Sequence, residues 1–171
     1  NELPDACLPL DYLPNPKIIT SSCEIARHSR IDAEFYQTRY VSVASAVKNY
    51  PHGYIRLTDC IDVLKPNFQA SHNDFNSYNY VALADIDNDL GMITSFNRIM
   101  GRKLPSRAKR ITSSGDVLAS SVVGSLDKTA IVLERQNDFI ASTGFFHFRP
   151  KSVTSEYLWT LLIAPFTKLL L

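Results

Sequence analysis

The sequence predicts an α+β fold: an irregular, β-rich body with one helix on its N-terminal side and another on its C-terminal side. Three observations carry this expectation. Short apolar, β-branched and aromatic runs recur between about residues 54 and 149, parted by clusters of Asn, Asp, Gly and Ser. Helical patterning is confined to residues 30–50 and to the stretch after Thr154. Strands and helices do not alternate, which argues against a doubly wound parallel sheet. With 45% hydrophobic and 11% aromatic residues in 171, the chain can bury a core and is not a disordered polymer.

Taken in order, residues 1–29 carry Pro4, Pro9, Pro14 and Pro16 and read as an extended lead-in. Ser29 or Asp32 can cap a helix over 30–50, with Asp32 and Glu34 in the first turn, where the helix dipole favours acids. That helix should end near Lys48, before Tyr50-Pro51. Residues 51–171 then form the main domain. Tyr54–Leu57 and Cys60–Leu64 are short elements, and the Asn-, Ser- and Gln-rich stretch Pro66–Tyr80 reads as a surface loop. Tyr80–Ile86 reads as a strand, followed by a turn at Asp87-Asn88-Asp89. Val117–Ser121, Ala130–Leu133, Phe139–Ser142 and Phe145–Arg149 are further strands. Ser155–Ile163 starts a helix, and Pro165 marks its break or the first turn of another.

The net charge is only +1, but the charges are segregated. From Gly91 to Gly115 there is no acid, while Arg98, Arg102, Lys103, Arg107, Lys109 and Arg110 are all basic. Local positive charge of this kind suits a polyanion, because neutralised phosphates release counterions. Interleaved Ser and Thr residues add phosphate-contacting hydroxyls. Cys7, Cys23 and Cys60 are too scattered for a disulfide framework or a zinc site and fit reduced thiols in the cytoplasm. No signal peptide is visible, and the longest apolar run is too short for a bilayer span.

Bond-making chemistry has no visible home, and no cofactor is implied. The four histidines, His28, His52, His72 and His147, lack metal-ligand spacing. Asp85-x-Asp87-x-Asp89 misplaces its Gly for a calcium loop and has Phe96 where the closing Glu belongs, so it reads as an Asx-rich turn. Asp62-x-x-Lys65 and Asp127-Lys128 are too sparse for a nuclease centre. There is no Walker loop and no Gly-x-Ser-x-Gly elbow. Most aromatics read as core. His147 reads as a packed or hydrogen-bonded residue, and Tyr78 and Tyr80, beside the polar loop, as exposed contacts.

Three motifs occur in order. Arg30-Ile31-Asp32-Ala33-Glu34-Phe35-Tyr36 opens the first helix. Gly115-Asp116-Val117-Leu118-Ala119-Ser120-Ser121 leads into a Ser- and Gly-containing turn ending at Lys128. Ser142-Thr143-Gly144 precedes an aromatic strand closing on Arg149-Pro150, with Tyr157-Leu158 and Leu161-Leu162 on the helix that follows. In this combination the chain, from about Arg30 to Leu171, resembles one target-recognition domain of the specificity (S) subunits of type I restriction-modification systems. It departs from the family pattern at Ser121 and Asp127, where many members carry Arg and Gly.

The resemblance implies a non-catalytic unit that binds one half of a bipartite duplex DNA target. Methylation and cleavage would belong to methyltransferase (modification) and restriction subunits. Residues from Lys168 onward would begin a spacer-type helix, and the chain would be either a half-subunit that dimerises or an excised piece. The expected DNA-facing residues are Arg98, Arg102, Lys103, Arg107, Lys109, Arg110, Ser120, Ser121, Lys128, Asn73, Asn76 and Asn79. Cations would meet phosphates or guanine, and the asparagines, with Gln69, adenine. Charge reversal at Arg107 and Arg110 is expected to abolish specific binding without unfolding the domain. Other readings are the recognition domain of a single-chain restriction enzyme or DNA methyltransferase, and a partner-binding module whose functional face is the Tyr157–Leu171 helix.

Overall fold

The computed structural model describes residues 38–71, 73–122 and 124–168. The chain divides into two compact units, Asn1–Tyr54 and Ile55–Leu171. The first contains helix α1 (Thr38–Lys48), which runs into a turn closed by the Gly53 N–H on the Tyr50 carbonyl. The Arg30–Tyr36 motif and the expected start of this helix lie outside the described residues.

The second unit holds two sheets. Sheet A has the strand order β1-β10-β7-β8-β4-β3: β1 Ile61–Val63, β3 Ile86–Asp87, β4 Met92–Ile93, β7 Val117–Ser120, β8 Thr129–Ile131 and β10 Phe145–Pro150. Sheet B has the order β5-β2-β9-β6: β2 Ser77–Val81, β5 Asn97–Met100, β6 Ala108–Ile111 and β9 Ile140–Ser142. Most pairs are antiparallel, but β2 runs parallel to β9 and β4 parallel to β8. The first and last strands of sheet A are neighbours, with Ile61 opposite Pro150 and Val63 opposite Phe148. Few helices and many short strands make this the mixed α+β fold that the patterning predicts.

Alternation along the strands sorts the core into layers. Val81 and Ala141 of sheet B meet Ile86, Ile93, Leu118, Ala130 and Phe145 of sheet A between the sheets. On the other face of sheet A, Val117, Ala119 and Phe148 pack against Leu158 and Leu162 of helix α3 (Ser155–Ile163) and against Leu57 and Cys60 of the short helix α2 (Leu57–Cys60). Thr154 caps α3 by accepting the Tyr157 N–H at 3.2 Å, and Trp159 Nε1 donates to the Thr129 carbonyl at 3.1 Å. A further short helix, α4 (Pro165–Lys168), follows it. The outer face of sheet B carries Tyr80, Ala108 and Ile140, covered by Phe68 and Leu104.

Several local expectations are revised. Leu83–Asp85, expected within a strand, is a 3-10 turn, because the buried Asp85 carboxylate accepts the Ala82 N–H at 2.8 Å and the Ser95 hydroxyl at 2.6 Å. The polar stretch read as loop up to Tyr80 contains β2, and the basic segment contains β5 and β6. The Asp87 turn, by contrast, is the Asx turn expected, its Oδ1 accepting the Asp89 and Leu90 N–H groups at 2.9 Å.

Candidate nucleic-acid interface

The Gly-Asp motif is the structural node from which the rest hangs. Gly115 takes φ +83°, a left-handed conformation open to glycine, and turns the chain into β7. Asp116 follows, 1% exposed. Its Oδ2 accepts the Ser113 N–H at 2.9 Å, Arg149 Nη2 at 2.9 Å and His147 Nε2 at 2.7 Å, while Oδ1 accepts Arg149 Nε at 2.7 Å. Burial opposes ionisation of this carboxyl. The hydrogen bonds from His147, Arg149 and the Ser113 amide outweigh it and hold Asp116 below the ordinary carboxylate range. His147 is fully buried, and its Nδ1 has no partner among the described residues. Its role is structural, as a hydrogen-bonded strand residue.

Around sheet B, the polar loop and the basic segment are locked together. The Gly101 N–H donates to the Asn76 carbonyl and the Arg102 N–H to the Asp74 carbonyl, each at 2.8 Å. Asp74 also accepts the Tyr78 hydroxyl at 2.8 Å and the Asn76 N–H at 3.0 Å. Gly101 is required by close approach, since a Cβ there would sit 2.4 Å from Asp74 Cγ. Farther along, the Asn67 and Phe68 N–H groups both donate to the Lys109 carbonyl, and Asn67 Oδ1 accepts the Ile111 N–H at 2.9 Å.

Residues 101–107 run across the outer face of sheet B, from the N-terminal end of β2 to the C-terminal end of β9. Leu104 points into the core there, while Arg102, Lys103, Ser106 and Arg107 stay exposed. At the far end the Arg107 carbonyl accepts the Thr143 N–H at 2.8 Å, and the next carbonyl, Gly144, accepts the Ser121 N–H at 2.9 Å and its hydroxyl at 3.0 Å. The Thr143-Gly144 turn thus sits between Arg107 and the Ser-rich hairpin. Arg102, Lys103 and Arg107 form no ion pair with any described residue, so the strip is electrostatically available to an anion.

The other expected contacts lie in varied settings. Arg98 is exposed on β5 directly opposite Asn79 of β2. Asn79 helps line a groove of about 400 Å³ with Ile93, Thr94, Phe96, Arg135, Gln136 and Phe139, on the face of sheet B away from the 101–107 strip. Asn73 and Asn76 are exposed on the polar loop. Lys109 is half-buried on β6. Arg110 directs Nη1 to the Leu64 carbonyl at 2.7 Å, with burial lowering its pKa. Ser120 is buried and accepts the Val122 N–H at 3.1 Å. Lys128 Nζ donates to the Ile86 carbonyl at 2.7 Å, so this cation ties the hairpin to sheet A.

Among the aromatics, Tyr80 is buried and the Tyr78 hydroxyl is bound to Asp74, so neither is the exposed contact expected beside the loop. Phe75 takes that place, 64% exposed, with the Arg102 guanidinium 4.9 Å from its ring centroid. The sequence signal for it is an aromatic isolated in His72-Asn73-Asp74-Phe75-Asn76-Ser77, with no apolar neighbour at strand spacing.

No protein-family model matches this chain, and no curated protein does. Solved structures do. A chain from a structural study of complex assembly and conformational transition in the type I R-M system aligns with a TM-score of 0.58 and 29% identity, over 64% of this chain and 28% of that one. The HsdS subunit from Thermoanaerobacter tengcongensis aligns with a TM-score of 0.58 and 27% identity, over 67% of this chain and 31% of its own. The fold is therefore similar to that of the specificity subunits of type I restriction-modification systems, as the sequence motifs imply. This chain spans less than a third of the length of either solved chain.

Proposed function

We propose that this chain is a target-recognition unit of a type I restriction-modification specificity subunit, binding duplex DNA by sequence and performing no bond chemistry itself. The observation that carries this reading is the fold shared with HsdS over about two thirds of the chain. The exposed strip Arg102-Lys103-Arg107, with no ion pair among the described residues, supports it independently. The strip supplies positioning contacts to phosphates, and polar side chains beside it, Asn73 and Asn76 among them, read base edges. Ser121 and the Thr143-Gly144 turn extend the same surface past Arg107. Arg98 and Asn79 contribute from the groove face.

Methyltransferase (modification) subunits and a restriction subunit are the protein partners this role requires, in the cytoplasm. A second copy of the unit would supply the other half-site. Among the described residues no helix is long and apolar enough to cross a membrane. The test is selection from randomised duplex DNA at moderate salt. Enrichment of a short motif supports the reading. Salt-sensitive binding without a motif, or no binding, overturns it.

A further inference from the structure

Resting on that DNA-binding reading, we infer that Phe75 is a specificity residue that contacts the C5-methyl group of a thymine in the major groove, with Arg102 holding its ring in place. Large apolar side chains are normally drawn into the core, yet Phe75 is 64% exposed on a loop tip and belongs to none of the three apolar clusters. The tip is not loose. Asp74 is bound on one side by the Tyr78 hydroxyl and the Asn76 amide, and its own carbonyl takes the Arg102 N–H. The Gly101 N–H reaches the Asn76 carbonyl, and the absent Gly101 Cβ makes room for the Asp74 carboxylate. A loop fixed on both flanks of one aromatic residue presents that residue at little entropic cost.

The company it keeps identifies the ligand. Asn73 and Asn76 are exposed on either side, Arg102 lies over the ring, and the exposed Lys103 follows Arg102 in the chain. These are the side chains that bind adenine, guanine and phosphate, and thymine differs from the other bases in the major groove by its methyl group. Because a guanidinium already covers one face of the ring, Phe75 is unsuited to full insertion between base pairs. Its rim and open face suit a methyl group.

The experiment uses the full chain and its selected duplex, with each thymine replaced in turn by deoxyuridine, which removes only the methyl. Burial of one such group corresponds to about a fourfold change in affinity. We expect one replacement to weaken wild-type binding about fourfold and to have no effect on Phe75→Ala. Phe75→Leu, which keeps an apolar contact, should retain part of the sensitivity. Salt dependence should be unchanged in both variants, and so should thermal unfolding, the side chain being exposed. Equal sensitivity of wild type and Phe75→Ala at every thymine overturns the inference, as does a wild-type motif with no thymine position that Phe75→Ala relaxes. In both cases the DNA-binding reading survives. A wild type that selects no motif overturns that reading, and this inference with it.

Discussion

Asp116, just before β7, and Arg149 of β10 form a two-pronged ion pair, with Arg149 Nε and Nη2 each on one carboxylate oxygen at 2.7 and 2.9 Å. Asp116 opens the Gly-Asp motif, and Arg149 closes the strand that ends in Arg-Pro. Two of the motifs that carry the family resemblance are therefore two halves of one contact, 33 residues apart in sequence. In this chain the two motifs have a mechanical role, the joining of adjacent strands of sheet A.

Asp116→Asn should destabilise the domain by about 1–3 kcal/mol, the cost of leaving the buried His147 and Ser113 donors imperfectly partnered. Arg149→Lys should cost less, because Arg149 is 45% exposed and lysine keeps the charge while losing the fork. Urea unfolding of the three proteins at neutral pH ranks them. Equal midpoints for wild type and Asp116→Asn would contradict the role given to this carboxylate.

The same carboxylate sets an acid limit. Its folded pKa lies below the value of about 3.9 for an unfolded Asp. Its stabilisation is therefore complete above that value and lost as pH falls through the folded one. The stability gap between wild type and Asp116→Asn should be constant near neutrality and close as pH falls below about 3.9. Urea titrations at a series of pH values measure the gap directly.

Charge reversal should separate the proposed binding surface from the scaffold. Arg107→Glu should leave folding unchanged, while weakening DNA binding and reducing the slope of log affinity against log salt by about 0.9 for each phosphate that is no longer neutralised. Arg110→Glu should behave differently, because its guanidinium holds the Leu64 carbonyl at 2.7 Å. A stability loss of about 2 kcal/mol is expected. Reversing both residues together should therefore lower stability by about the same 2 kcal/mol, where the charge pattern alone suggests no loss. Circular dichroism melts beside salt-dependent binding curves distinguish the two effects.

Gly101→Ala should push Asp74 away from Tyr78 and Asn76, since the added Cβ would fall 2.4 Å from Asp74 Cγ. The cost should be about 1–3 kcal/mol, the usual range for a forced steric insertion. Hydrogen exchange should accelerate at the Asn76, Gly101 and Arg102 amides but not in β7 or β10.

Legibility from sequence follows burial. Val117–Ser120 and Phe145–Pro150 lie at the centre of sheet A, and their apolar and aromatic runs announce them. β5 and β6 are the outer strands of sheet B, and their Asn, Arg and Lys residues are suited to an open strand edge but erase the apolar signal. β2 alternates Ser77, Tyr78, Asn79 and Tyr80, a half-buried pattern masked by the polar residues before it. In the candidate interface, the basic run is visible as charge. Which cations are already engaged is not, because the partners of Arg110 and Lys128 are carbonyls 46 and 42 residues away. Backbone acceptors leave no mark in a sequence. Phe75 is easily missed because aromatic residues are usually core, and its isolation in a polar run is the one mark the sequence carries of its exposure.

The pairing of β1 with β10 has a consequence for how such a unit changes over time. The chain enters the two-sheet body at Ile61 and leaves it at Pro150 on adjacent strands, about 5 Å apart. Another body of the same plan could join the flanking segments at the same two strands, provided that it offers Leu158, Leu162 and Trp159 the same seat on β7 and β8. Recombination at those points would exchange the whole two-sheet body in one event, whereas a point substitution can only adjust the body already there.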